Sequence, residues 1–500
     1  MKISETKKGV VLSYALLLCS TMYGLLMTPF ILKYVGDASY GVYKSISSIS
    51  ESLAVMDLGL GTTMIRYMAR YHATNEKEKA NNFMAMLLIQ FAIVAAAIAI
   101  LGGAIYGTLP SIYGKTFSAD EMALSKKLFV FLVLNMLLRL FENLLSGAAS
   151  GYECFTAANG VKLLCNISKF FLLFILLPLI KNIVLVVVLQ TVLVTAEIFF
   201  LGWYVIHRMG MRPKLEKWDM PVFKESMMYT LLMLIQSLTI QFNGNVDNIL
   251  IGAKLGSEYV TMYSMALVIF NMYEQLSGAI AGIMLPSITR KIVANQSAEQ
   301  LQQSVEKAGR YQFFLLAAAM GGFIALGREF FYLWLGESYR DCYWLTLMLI
   351  IPVTFPQVQN VCLSILRAQN KMGYRTVTLA ISCMANIACT IVGITLWGYW
   401  GAAIGTACAT ILNTVFMTAY YRKRLSFRIL KMYGRIFDKT WVCALVATIC
   451  TLYSGKWFDV SWAAFLIRAA IFMLIYGALM LCLEMTDDEK RMLKEGIQRA

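Results

Sequence analysis

Two long stretches of the sequence contain no charged side chain, and their length limits the possible folds. Residues 80–114 hold none, and residues 376–421 hold none over 46 positions. A helix crosses the hydrocarbon core of a bilayer in about 20 apolar residues, so the second stretch alone is long enough for two crossings. Apolar types make up 59% of the chain and charged types 15%, whereas soluble domains average about 45–50% and about 25%. The sequence therefore excludes a water-soluble globule and predicts an all-α, polytopic membrane protein.

Dividing the chain at its polar clusters predicts about fourteen transmembrane helices. The predicted spans are 10–33, 41–69, 83–107, 126–149, 156–179, 184–206, 225–252, 259–288, 309–330, 343–366, 376–397, 401–421, 439–455 and 463–484. The first apolar block is long enough to span, and no small-residue cleavage pattern follows it. We therefore expect a retained first helix rather than a cleaved signal sequence.

The positive charges lie between the apolar blocks, and their distribution predicts the orientation in the membrane. The 44 Lys and Arg exceed the 29 Asp and Glu by 15. If the amino terminus is cytoplasmic, the inner segments hold 30 of the 44 and the outer segments hold 10. The positive-inside rule then places both termini in the cytoplasm. Because the charges form no single basic stripe, we expect no nucleic acid among the partners.

The sequence repeats itself weakly when it is shifted by 220 residues. At this shift the coinciding residues are Gly36 with Gly256, Tyr43 with Tyr263, Met64 with Met284, Arg70 with Arg290, and Asn75 with Asn295. Both halves start from the same side of the membrane, so an axis along the membrane normal should relate them by about 180°. This predicts two six-helix lobes around a central cavity, at residues 1–210 and 225–425. Two additional helices at 436–485 and a cytoplasmic tail at 486–500 follow.

Ionisable residues inside the apolar spans are the candidate functional groups. Each costs about 2.5–3.5 kcal/mol on insertion scales, so it should face the bundle interior or a wet cavity. In the first lobe they are Lys44 and Glu51 in span 2, Arg139 and Glu142 in span 4, and Lys162 and Lys169 in span 5. A spacing of seven residues places Lys44 with Glu51, and Lys162 with Lys169, on one helical face. We expect these polar stripes to line the cavity wall of the first lobe.

Acidic side chains also occur in spans 6, 7 and 8. Glu274 lies in the middle of span 8, where it could bind a coupling cation or a proton. Asp247 in span 7 could equally be structural, paired with a loop amide or an arginine. We expect Glu197 and Asp57, which lie nearer the cytoplasmic ends of their spans, to be helix-end polar groups. The predicted coupling or structural carboxylates are Glu51, Glu142, Asp247 and Glu274.

Three short motifs carry a resemblance to a known family. Residues 29–71 contain a GxxxYG element and a DLGLG element, and residues 245–263 contain VDNILIG. With the span count and the two-lobe layout, they resemble the polysaccharide-biosynthesis flippases of the multidrug/oligosaccharidyl-lipid/polysaccharide exporter superfamily. The resemblance implies movement of an undecaprenyl-pyrophosphate-linked oligosaccharide from the inner to the outer leaflet of a bacterial cytoplasmic membrane, by alternating access. By similarity with the lipid II flippases, it also implies a groove for the lipid tail at the two carboxy-terminal helices.

A pyrophosphate in a site with little water needs compact positive charges, as on lysine, and planar guanidinium donors, as on arginine. We therefore expect Arg139, Lys162, Lys169 and Lys44 to bind this part of the substrate. Two alternatives stay open at this point. Arg139 could be satisfied by an ion pair with Glu142 on its own helix, and Lys162 could extend its ammonium group toward the cytoplasm.

Other functions are weighed against this one. A cation-coupled multidrug or organic cation antiporter of the same superfamily should have acids without bases in its cavity. This sequence has both, so the tally does not exclude that function. A membrane-embedded enzyme of polysaccharide assembly lacks a recognisable catalytic constellation, and no Walker A pattern indicates ATP hydrolysis. We expect no enzyme activity, cofactor or metal. The expected partners are a lipid-linked oligosaccharide substrate and membrane lipids, with a proton or sodium as coupling ion and polysaccharide polymerases as further candidates.

Overall fold

A computed structural model describes residues 2–54, 60–294, 296–369, 372–485 and 489–490. Within these ranges the chain forms seventeen α-helices, joined by short turns. It divides into two compact units, residues 1–264 and residues 265–500. The predicted all-α class is confirmed.

The first unit contains eight helices and the beginning of a ninth. These are α1 (Lys2–Val35), α2 (Asp37–Ala54), α3 (Leu60–Ala73), α4 (Lys77–Tyr113), α5 (Ala119–Gly151), α6 (Phe155–Ile180), α7 (Val184–Trp203), α8 (Met220–Lys254) and the start of α9 (Ser257–Val293). A π-helical turn, Tyr204–Arg208, extends α7.

Local rules explain where several of these helices begin and end. A capping box starts α5: the Ser118 hydroxyl accepts from the Glu121 N–H at 3.3 Å, and the Ser118 N–H donates to the Glu121 carboxylate at 2.8 Å. Gly36 (φ 83°) follows α1, and Gly256 (φ 108°) follows α8. Glycine adopts this left-handed conformation without the penalty of a Cβ, so both positions end their helices. The two glycines coincide in the 220-residue repeat.

The core of the first unit lies between α3, α4 and α5. Met64, Phe83, Leu87, Phe91 and Leu140 are buried there. These side chains recur along one face of each helix, which fixes how the helices pack.

The second unit contains the rest of α9 and eight further helices. These are α10 (Ala298–Leu335), α11 (Cys342–Gln357), α12 (Asn360–Ala368), α13 (Gly373–Trp397), α14 (Tyr399–Arg424), α15 (Ile429–Phe437), α16 (Thr440–Ser454) and α17 (Trp462–Leu479). Leu316, Ile350, Ile365 and Ile436 belong to its core.

The two carboxy-terminal helices are joined to α10 by a buried arginine. Arg468 of α17 is 3% exposed; its guanidinium donates to the Glu329 carboxylate of α10 and, at 3.0 Å, to the Thr451 carbonyl of α16. Because the charge and its hydrogen bonds are satisfied inside the helix group, this arginine is structural.

Ten helices in the described part of the chain are long and apolar enough to cross a membrane, or eleven if the bent pair α11–α12 is one span. Large apolar side chains such as Phe174 and Leu179 of α6 are 54% and 75% exposed, as contact with lipid tails requires. The chain is a multi-pass membrane protein. Each predicted span overlaps a helix or two consecutive helices, whereas the number of fourteen crossings stays a prediction. Asp57 and most of the DLGLG element lie outside the described residues.

Candidate functional site

Basic side chains of α2, α5 and α6 converge within the first unit. Lys169 interacts electrostatically with Lys44 and Arg139. Arg139 and Lys162 both interact with Glu197 of α7. Four bases predicted from the sequence, Lys44, Arg139, Lys162 and Lys169, therefore form one group, here called the basic cluster.

Lys169 is held by neutral groups from two neighbouring helices. Its Nζ donates to Gln190 Oε1 of α7 at 3.1 Å and lies 4.9 Å from the ring centre of Tyr23 in α1. Gln190 in turn donates from Nε2 to Asn135 Oδ1 of α5 at 3.4 Å. Within the described residues, Lys169 forms no ion pair. An amide and a ring orient the ammonium group without neutralising it.

Lys162 and Glu142 form an ion pair between α6 and α5. Lys162 Nζ lies 2.8 Å from Glu142 Oε1, and the carboxylate side chain is only 1% exposed. Glu142 thus pairs with a base of another helix and not with Arg139 on its own helix. Arg139 is exposed and forms no ion pair in the part of the chain that the structure describes. The guanidinium of Arg139 is available to an anion.

Lys44 lies at the α2 side of the basic cluster. Its Nζ is 5.5 Å and 5.9 Å from the ring centres of Tyr40 and Tyr43, and it interacts with Glu51 two turns along the helix. The rings stabilise the cation through their negative faces. Lys44 and Glu51 share a helical face, as their spacing predicted.

Glu197 belongs to the interior, so the expectation of a helix-end polar group is wrong. Its side chain is buried and interacts electrostatically with Glu142 and Arg139. The π-helical turn carries the helix on to Arg208, which leaves Glu197 about three turns from that end. The basic cluster therefore has four bases and three carboxylates around it: Glu51, Glu142 and Glu197.

Asp247 of the VDNILIG element binds a tyrosine hydroxyl. The buried Tyr263 Oη of α9 donates to its Oδ2 at 2.6 Å. The neighbouring Asn248 donates from Nδ2 to Ser48 Oγ of α2 at 3.1 Å and accepts from Ser264 Oγ at 3.4 Å. These bonds hold α8 against α2 and the start of α9. The element thus serves helix packing, and Ser48 of α2 takes part in it.

Glu274 lies at the break between α11 and α12 in the second unit. Its Oε1 accepts from Gln357 Nε2 at 2.8 Å, and the two helices meet at a bend of 44°. Ser277 Oγ donates to the backbone carbonyl of Gln357 at 2.9 Å. A carboxylate at a broken helix can accept a proton or a hard cation. Among the described residues, no three His, Cys, Asp or Glu side chains form a metal-binding group.

Sequence reasoning missed three neutral partners of the basic cluster, Tyr23, Asn135 and Gln190. A signal was present for the two amides, because polar side chains inside apolar spans commonly bond across helices. For Tyr23 no signal existed, since tyrosines are frequent throughout this chain, with 26 copies.

The chain shares its fold with solved helical membrane transporters. It superposes on the lipid II flippase MurJ, in an inward closed conformation, with a TM-score of 0.73 over 94% of this chain and 97% of that one, at 14% identity. It also superposes on an inward-facing multidrug resistance MATE family transporter of the MOP superfamily. That TM-score is 0.71, over 81% of this chain and 94% of that one, at 15% identity. At these identities the likeness shows the fold alone.

The family follows from a separate comparison. The model of the polysaccharide biosynthesis protein family matches residues 6–293, more than half of the chain, and the chain belongs to this family. The chain is 21% identical over 439 residues to the uncharacterized membrane protein EpsK of Bacillus subtilis (strain 168). The match covers 82% of this chain and 81% of that protein. The two solved structures are those of a flippase and a transporter. The resemblance drawn from the short motifs is confirmed.

Proposed function

We propose that this protein moves an undecaprenyl-pyrophosphate-linked oligosaccharide from the inner to the outer leaflet of a bacterial cytoplasmic membrane, for the synthesis of a cell-surface polysaccharide. The two units would work by alternating access. The observation that carries the proposal is the basic cluster, in which Lys169 and Arg139 form no ion pair among the described residues. The family assignment supports the polysaccharide context, and the fold shared with a protein named as a lipid II flippase supports movement of a lipid-linked substrate.

A pyrophosphate suits this cluster because it brings two adjacent negative groups. Lys169, oriented by Gln190, offers an ammonium point charge, and Arg139 offers a planar fork that can bind two phosphate oxygens. The ion pair of Lys162 with Glu142 stands beside them. A displaced phosphate hydration shell would be replaced by these charge-assisted bonds, each worth about 1.5–3 kcal/mol.

The orientation and the driving force complete the proposal. The excess of Lys and Arg in alternate loops supports cytoplasmic termini. Glu274 is the group we assign to a coupling proton or sodium ion, because its carboxylate lies at a helix break. Polysaccharide polymerases that consume the translocated product remain predicted partners.

A cation-coupled multidrug antiporter is the second candidate, favoured by the carboxylates Glu51, Glu142 and Glu197 around the cluster and by the shared fold of a MATE family transporter. An organic cation would be repelled by an excess of bases over acids, so we rank this function lower.

The experiment replaces Lys169 or Arg139 by glutamine in cells that make the polysaccharide. Loss of one charge-assisted bond should lower the surface polysaccharide by roughly tenfold to a hundredfold at unchanged protein level in the membrane. Lys127→Gln is the matched control, since Lys127 is an exposed base on the same helix as Arg139. Arg139→Lys keeps the positive charge but removes the planar guanidinium group, and only that group can bind two phosphate oxygens at once. Normal polysaccharide in both glutamine variants would remove the site assignment.

A further inference from the structure

An apolar groove opens on the surface of the second unit, between α11, α14 and α15. Its volume is about 720 Å³, in the range of roughly 300–1,000 Å³ that ligand sites occupy. Its lining side chains include Phe355 of α11, Val415, Arg422 and Lys423 of α14, and Leu430 of α15.

The walls of the groove are apolar and exposed. Phe355, Val415 and Leu430 are 42%, 58% and 76% exposed. The opposite face of α15 is buried in the core through residues such as Met432 and Ile436, so this short helix is fixed in place with Leu430 turned outward. The groove therefore has a fixed wall on the α15 side.

The polar hydroxyl groups in the groove already have partners. Thr418 Oγ1 accepts from Gln359 Nε2 at 3.2 Å, and Thr414 Oγ1 donates to the Thr410 carbonyl at 2.7 Å. A peptide lying in the groove would bring backbone amides that need hydrogen-bond partners. A hydrocarbon chain has no such requirement.

One end of the groove is strongly basic. Arg422 and Lys423 lie there, both exposed, and neither forms an ion pair within the described ranges. Residues 422–439 contain seven Lys or Arg and a single acid, Asp438. The nearby Arg435 is already engaged, because its Nη1 lies 3.0 Å from the Glu306 carboxylate.

We propose that this groove binds an anionic membrane phospholipid, such as phosphatidylglycerol. Its phosphate would lie against Arg422 and Lys423, and an acyl chain would follow Val415, Phe355 and Leu430. Charge complementarity selects the class, since a zwitterionic headgroup carries its own cation and would meet two further ones. This site lies in the second unit, whereas the basic cluster lies in the first, so the inference is independent of the proposed function.

The test measures lipid binding to the delipidated full-length protein in detergent by native mass spectrometry. Titrations with phosphatidylglycerol and phosphatidylcholine give apparent dissociation constants. We expect tighter binding of phosphatidylglycerol, weakened roughly fivefold by Arg422→Gln or Lys423→Gln and more by the double variant, because each base near a membrane surface contributes about that factor. Binding of phosphatidylcholine should not change.

Arg424→Gln is the matched control, since Arg424 is an exposed base in the same last turn of α14 that does not line the groove. Val415→Trp tests the apolar part by filling the groove, and it should weaken phosphatidylglycerol binding with both bases in place. Equal affinity of the wild type for the two lipids would overturn the proposal, as would an equal effect of Arg424→Gln and Arg422→Gln. Binding of undecaprenyl phosphate without binding of phosphatidylglycerol would also overturn it.

Discussion

Lys169 and Lys162 lie on the same helix, but their surroundings give them different roles. Lys162 is paired with the buried Glu142 at 2.8 Å, whereas Lys169 is bound by an amide and a ring. A buried pair is sensitive to the loss of one member, because the remaining charge has no partner. An ammonium held only by neutral groups keeps its attraction for an incoming anion.

This difference predicts that a second substitution restores the stability that the first one removes. Lys162→Met leaves Glu142 buried without its counter-charge and should lower the free energy of unfolding by about 3–5 kcal/mol. The double variant Lys162→Met with Glu142→Leu should recover most of that loss, because an apolar pair of similar volume replaces the ions. Melting temperatures of the purified variants in detergent check both values. A single variant as stable as the wild type would contradict the pairing.

At the residue scale, the sequence predicted which charges belong together only in part. The seven-residue spacing within α2 correctly placed Lys44 and Glu51 on a shared helical face. The partner of Glu142 could not be foreseen, because the rotation of one helix against another depends on packing that periodicity does not contain. The same reason hid Gln190 and Tyr23 as neighbours of Lys169.

At the scale of elements, two of the motifs that carried the family resemblance, GxxxYG and VDNILIG, act in helix packing. A Cβ added at Gly41 of the GxxxYG element would collide with the backbone carbonyl of Ser257 at the start of α9. Nearby, Thr261 Oγ1 donates to the Asp37 carbonyl at 2.7 Å. Close backbone approach is what small residues permit between membrane helices.

Gly41→Ala should therefore destabilise the first unit. Overpacking a closely packed contact costs about 1–3 kcal/mol, which should appear as a lower melting temperature. Gly103→Ala is the control, since a Cβ at this helical glycine of α4 meets nothing within 4 Å and alanine favours the helix by about 0.5–1 kcal/mol. Equal melting temperatures of the two alanine variants would show that the contact at Gly41 does not form.

The sequence predicted the helices better than it predicted where a helix is interrupted. Every predicted span overlaps a helix or a pair of helices, because long apolar runs in a membrane can satisfy their backbone only as helices. The bend between α11 and α12 was not predicted, although Pro352 and Pro356 precede it. Proline removes a backbone donor and crowds the preceding turn, so these two residues were an available signal.

At the scale of the whole molecule, two compact units carry different chemical groups. The first holds the basic cluster, and the second holds Glu274 at a helix break and the lipid groove. Gly36 and Gly256 end their helices in the same left-handed conformation, as the 220-residue repeat suggested at those positions. The rotation that relates the predicted lobes remains a prediction.

We propose that the basic cluster binds the pyrophosphate while the lipid-linked substrate crosses the bilayer. The most direct measurement is translocation in proteoliposomes of a fluorescent undecaprenyl-pyrophosphoryl saccharide, followed by its accessibility to a quencher outside. We expect the wild type to translocate the lipid. The rate should fall roughly tenfold or more in Lys169→Gln and stay normal in Lys127→Gln. Failure of the reconstituted wild type to move this lipid, with transport of an organic cation instead, would contradict it.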